Sequence, residues 1–182
     1  SDGDADDLRV DFYSHLADGD TCYRLKIYHK SKLIPLSSCM PMLENMGFRV
    51  LSEHSYEVGG DSTSYIHDFS IEREGGCSLP RERLKPLIEE LFTRSWAGDC
   101  EDDGFNQLVL TAGMAWDEIA IIRAYGKYLR QLGMGYTPDY IADGMVKNAQ
   151  ISAQLFALFK ARLDPAYNKK TREELTTNIT AD

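Results

Sequence analysis

The chain, 182 residues long, contains no apolar run of transmembrane length and no N-terminal pattern of a secretory signal, so neither membrane spanning nor export is expected. Basic charge is in deficit, with 20 Lys and Arg against 29 Asp and Glu and a formal net charge of −9. Phosphate binding needs the opposite balance, which argues against nucleic acid as a partner. Cysteine is sparse and unpaired in pattern. Cys22, Cys39, Cys77 and Cys100 include no CxxC, pointing to reduced thiols in a cytoplasmic protein and away from a disulfide frame or a zinc site. His15, His29, His54 and His67 include no HxxxH pair. His54 and His67 fall in neighbouring β-like segments, so two ordinary strand histidines facing each other are expected there. A P-loop and a GxSxG elbow are both missing. Gly133-Met134-Gly135-Tyr136-Thr137-Pro138 mimics the opening of a dinucleotide fingerprint, but it follows a helix, ends in proline and starts no βαβ unit. Asn178-Ile179-Thr180 has the glycosylation spacing, which has no meaning without secretion.

What is present is an ordinary globular composition, 43% apolar and 27% charged. Aspartates crowd residues 1–20, which read as an acidic tail running into the first strand of a hairpin. Leu8 to Tyr13 and Tyr23 to His29 alternate apolar and polar residues, and Ala17-Asp18-Gly19-Asp20 between them is turn chemistry. A helix is expected from Cys39 to Met46, with Ser38 as its N-cap and Gly47 as its left-handed C-terminal stop. Placing the cap at Ser38 puts Pro41 at the third helical position, where no intrahelical N–H is needed. Arg49–Val58 and Ser64–Arg73 read as strands around the turn Gly59-Gly60-Asp61-Ser62. Pro80–Trp96 reads as a helix with Leu84, Leu87, Ile88, Leu91 and Phe92 on one stripe, kinked at Pro86 or starting just before it. The order ββαββα specifies a two-layer α+β sandwich over residues 8–97.

After a boundary near Trp96 to Cys100 the period becomes helical. Phe105–Gly113, Trp116–Leu132, Thr137–Lys147 and Ile151–Leu163 read as helices, making an all-α module over 98–165. Residues 166–182 are polar and without a stripe, so a frayed linker is expected there. Trp116 is expected on the buried helix face, where Trp116→Ala would cost about 3 kcal/mol or more.

Three constellations invite chemistry. Asp99, Glu101, Asp102 and Asp103 resemble a calcium loop, but Leu110 would occupy the twelfth position, where a carboxylate is required. Capping of the next helix by Asp102 or Asp103 is the plainer reading. Arg123, Lys127 and Arg130 make one basic stripe. It is either a solvated face, a set of ion pairs with Asp102 and Asp103, or a docking face for an acidic domain or anionic effector. Gly126 in the same helix costs about 1 kcal/mol against alanine and would admit the close approach of another helix.

Two long blocks carry a resemblance. PLSSCMPMLENMGFRVLSEHSYEV (Pro35 to Val58) with YIHDFSI (Tyr65 to Ile71), and EDDGFNQLVLTAGMAWDEIAIIRAYGKYLRQLG (Glu101 to Gly133), occur in the order found in large bacterial NAD-specific glutamate dehydrogenases, upstream of their catalytic domain. With LKIYH (Leu25 to His29) and LFALFKARLDP (Leu155 to Pro165), the chain is similar to that family over residues 20 to 165. The resemblance implies a non-catalytic piece of an oxidoreductase that binds NAD and glutamate elsewhere in the chain, with no cofactor or metal in this piece. It implies an ACT-like module, whose related order is βαββαβ; the extra N-terminal strand here would replace the last one. By analogy with ACT-type pairs, the loop from His29 to Ser37 is the candidate amino-acid effector site, with Lys30, Lys32, Ser37 and Ser38 beside a helix start suited to a carboxylate. The loop lacks the glycine usual in effector-binding members. An effector sensor and a purely structural oligomerisation scaffold that packs on the catalytic domain therefore both remain open.

Overall fold

The computed structural model describes residues 8–14, 21–30, 32–59, 63–73 and 79–181. The expected acidic tail before Leu8, the turn at 17–20, Gly60-Asp61-Ser62, and the positions of His15, Ser31 and Cys77 lie outside these residues.

Four antiparallel strands, β1 (Leu8–Tyr13), β2 (Cys22–Lys30), β3 (Phe48–Val58) and β4 (Ser64–Arg73), form one sheet in the order β1-β2-β4-β3. β1 takes the outer position beside β2, and among the described residues no strand follows β4, so the N-terminal strand does replace a terminal one. Alternation decides what each face carries. Leu25 pairs with Phe12 on one side and Phe69 on the other, and all three are fully buried. Helices α1 (Leu36–Asn45) and α2 (Arg81–Ala97) add Cys39, Leu43, Leu84, Ile88, Leu91 and Phe92 to the same cluster. Each such side chain contributes about 1.5–3 kcal/mol relative to exposure. The opposite face carries charge: Asp68 accepts from Tyr13 Oη at 3.2 Å and lies 3.8 Å from Lys26 Nζ.

α1 begins earlier than expected. Pro35 is its N-cap, no side chain caps it, and Ser38 sits inside the first turn with its N–H donated to Pro35 O at 2.9 Å. Ile34 and Cys39, both buried, occupy the two positions of a hydrophobic staple, and that burial fixes the entry ahead of any serine cap. Pro41 consequently sits inside the helix and forfeits one bond. Gly47 ends the segment at φ +89°, as read. α2 runs unbroken past Pro86, which is exposed.

The segment expected as one helix from Phe105 is a 3₁₀ turn (Gly104–Gln107) followed by a single α turn, α3 (Leu108–Thr111). Packing holds it, since Phe105, Leu108, Val109 and Leu110 are all buried. α4 (Trp116–Gln131), α5 (Pro138–Lys147) and α6 (Ala149–Leu163) follow, and Thr137 Oγ1 caps α5 by accepting from Tyr140 N at 3.2 Å. Trp116 is only partly buried, packed against the core at the margin of the face that α4 turns inward through Ile119, Ile122, Arg123 and Gly126. A Cβ on Gly126 would come within 2.9 Å of Phe105 Cζ and 3.2 Å of Ile141 Cγ2, so the glycine does admit close neighbours.

The residues after Pro165 are not frayed. They form α7 (Lys169–Ala181), started by Asn168 Oδ1 accepting from Thr171 N at 3.0 Å and tied back by Arg172 Nη2 to Asp164 O at 2.9 Å. One hydrophobic cluster runs from the sheet through α2 into α3, α4 and α5, so the two halves share a core.

Candidate effector edge and charged junction

Two places gather the residues that sequence reasoning singled out. The first is the edge where β2 passes into α1. Ile34, 2% exposed, anchors the loop, while Lys30, Lys32, Ser37 and Ser38 all face solvent around the start of α1. The first turn of that helix therefore presents backbone N–H groups to water without a side-chain cap, the arrangement that favours an anion.

Behind this edge lies a cluster that the sequence reading missed. His29 and His67 are both buried on the helix-facing side of adjacent strands, because Ile27 pairs with His67 and His29 with Tyr65. His54 instead pairs with Asp68 and is exposed, so His54 and His67 do not face each other. His67 Nδ1 meets Glu53 Oε1 at 2.7 Å, and Ser55 Oγ donates to the same oxygen at 2.6 Å. His29 Nδ1 and His67 Nε2 are buried with no hydrogen-bond partner among the described residues. Burial raises the Glu53 carboxyl, but hydrogen bonds from Ser55 and His67 outweigh it and hold the group below its ordinary value. Burial pushes the Cys39 thiol up to about 12, with the Glu53 charge adding to the rise, so Cys39 stays a protonated, inert thiol. The alternation Tyr23, Leu25, Ile27, His29 already placed His29 on the inner side. The register to β4 was what the sequence did not show.

The second place is the junction of the acidic loop with α4. Arg123 is 3% exposed, and its guanidinium holds Asp103 through both carboxylate oxygens, at 2.8 and 2.9 Å. The same group donates to Asn106 Oδ1 at 2.8 Å and Glu101 O at 3.2 Å, and lies 5.7 Å over the Phe105 ring. Asp103 also caps the 3₁₀ turn, accepting from Phe105 N at 3.1 Å. Lys127 pairs with Glu101. Of the basic stripe, then, Arg123 and Lys127 meet the acidic loop, whereas Arg130 and Asp102 are exposed. Together with Phe105, Gly126 and Ile141 they line a cavity of about 270 Å³. This junction is built to lock the loop onto α4.

Residues 7–84 match the family described as glutamate dehydrogenase, ACT3 domain, and residues 100–165 match glutamate dehydrogenase, helical motif 3. The chain is 38% identical over 160 residues, 87% of its length, to an NAD-specific glutamate dehydrogenase of Halomonas elongata. It is 36% identical over 92% of its length to one from Pseudomonas aeruginosa, and 34% identical over 71% to one from Mycobacterium tuberculosis. It belongs to the NAD-specific glutamate dehydrogenase family, as a fragment. The chain spans 10% of the length of the first two relatives and 8% of the third. Within that family it contains the ACT-like and helical regions described above, and no helix among the described residues is long and apolar enough to cross a membrane.

Proposed function

We propose that this chain is a non-catalytic, regulatory region of a cytoplasmic NAD-dependent glutamate dehydrogenase. The parent polypeptide would convert L-glutamate, NAD and water to 2-oxoglutarate, ammonium, NADH and a proton, with NAD, substrate and the proton-transferring groups held outside these 182 residues. Its partners would be the catalytic domain of the same polypeptide and further copies in a homo-oligomer. The ACT-like half would sense a free amino acid at the β2–α1 edge. The observation that supports this is the open first turn of α1, exposed and without a side-chain cap, with Lys30 and Lys32 on the loop leading into it. A carboxylate seated there would gain both backbone N–H donors and cationic neighbours.

A second reading, a structural scaffold without a ligand, draws support from the exposed apolar side chains of the helical half, among them Tyr128, Leu132 and Ile151. Isothermal titration of the chain with each of the twenty amino acids separates the two. A binding heat that disappears in Lys30→Glu/Lys32→Glu supports the sensor. Silence with all twenty removes it and leaves the scaffold, whose mark would be association seen in sedimentation.

A further inference from the structure

α4 has two opposed long faces. Arg123 and Lys127 fall on the side that meets the acidic loop. At about 100° per residue, Ile121, Tyr125, Tyr128 and Leu132 fall on the far side, at the i, i+4, i+7, i+11 spacing of a helix-packing seam. That seam is not covered: Tyr128 is 55% and Leu132 59% exposed. It adjoins α6, where the Tyr125 and Phe159 rings meet edge to face at 6.4 Å and Phe156 stacks with Phe159 at 6.5 Å. One broad side of α6 is apolar, through Leu155, Phe156, Leu158 and Phe159, with Gln150 and Lys160 on the side away from it, yet only Ser152 and Ala161 in the helix are buried. α7 lies along one side of it, and Leu163 at its end is 61% exposed.

We infer that the surface formed by the Tyr125–Tyr128–Leu132 seam and the adjoining α6 is a docking site for an amphipathic helix of the same polypeptide, from the part of the parent outside these residues. The inference rests on the reading of the chain as an accessory piece, and three observations carry it. The exposed surface is a row of apolar and aromatic side chains at helical spacing, the form in which one helix recognises another. The paired basic residues of α4, Arg123 and Lys127, turn to the opposite side toward the acidic loop, so the seam itself is a row of apolar and aromatic side chains. Finally, the relatives are about ten times longer than this chain. A tethered segment competes at an effective concentration on the order of millimolar, which a second copy in solution does not reach.

Hydrogen exchange tests this, comparing the full-length parent with the 182-residue chain. Amides of residues 125–132 and 151–163 are expected to exchange at least about tenfold more slowly in the full-length protein. Tyr128→Glu/Leu132→Glu should abolish that extra protection, while the same pair leaves the melting of the 182-residue chain within a few degrees of wild type. Equal exchange in the two proteins overturns the proposal. So does a concentration-dependent dimer of the 182-residue chain that the double substitution dissolves, since the occupant would then be a second copy. Amino-acid titration is independent of either outcome: a sensor with no docked helix would still bind its ligand, and a docked helix would still be protected in a chain that binds none.

Discussion

α2 and α6 are of similar length, 17 and 15 residues, and they occupy opposite situations. α2 buries Leu84, Ile88, Leu91 and Phe92 on one stripe and shows polar residues elsewhere, as a surface helix on a closed core should. α6 gathers Leu155, Phe156, Leu158 and Phe159 on one broad side and buries none of them completely. The contrast extends to the halves that contain them. The sheet and its two helices fill a core that continues into Phe105, Leu108, Ile119 and Ile122 of the helical half, whereas α6 lies at the margin of that core. The lesson is that the two halves share one filled core, and the outer helices leave apolar surface outside it.

The largest effect should come from breaking the sheet half. Phe92 is fully buried, and Phe92→Ala should cost about 3–5 kcal/mol in urea unfolding of the 182-residue chain. Phe159→Ala, at a half-exposed site on α6, should cost about 1 kcal/mol or less there. Equal costs would break the comparison. Next comes the junction of the acidic loop with α4. Arg123→Ala leaves the buried Asn106 amide oxygen without its donor and removes the two-oxygen grip on the part-exposed Asp103 carboxylate, and should cost about 2 kcal/mol. Arg123→Lys should recover little of it, because a lysine cannot reproduce the two-oxygen grip on Asp103.

The strands were legible because alternation is a direct imprint of a sheet with one buried face, and all four were placed within a residue or two. The start of α1 was misread because serine is a strong local cap, while the staple of Ile34 and Cys39 depends on a core that the local sequence does not display. α7 escaped because it has no apolar stripe; a cap at Asn168 and a side chain reaching back to Asp164 start it, with a Lys170–Glu174 pair on its surface. Around the candidate sites, periodicity identified a basic stripe but not which way it faces. The partner that turns Arg123 inward is Asp103, 20 residues earlier; ion pairs with that loop were among the readings of the stripe, but the spacing did not say which of them form. The His29–His67 proximity depends on the register between β2 and β4, and no residue pattern within either strand encodes it.

A medium effect sharpens the line between the halves. Trp116 sits partly buried where α4 meets α2, donating Nε1–H to Glu90 at 3.0 Å with the Arg94 guanidinium 5.2 Å over its ring. Trp116→Ala should therefore cost about 2 kcal/mol, below the value for a fully buried aromatic. A cost as large as that of Phe92→Ala would mean that the seam between halves is as well packed as the sheet core.

The smallest effect concerns the inner side of the sheet half and is read in pH. Glu53 is depressed in the fold because Ser55 and His67 stabilise its carboxylate by more than burial penalises it. A depressed carboxyl adds stability that is complete above its unfolded value, about 4.3, and that is lost as pH falls through the lower folded value. Glu53→Gln should accordingly be less stable than the wild type near pH 6, and the gap should narrow as pH falls through the lowered folded value. Melting temperatures at several pH values across that range measure it. A constant gap would mean that the pairing with His67 contributes nothing ionic. The His29–His67–Glu53 cluster would then be plain packing under the β2–α1 edge, and its two unmatched imidazole nitrogens would be the only polar feature left there to explain.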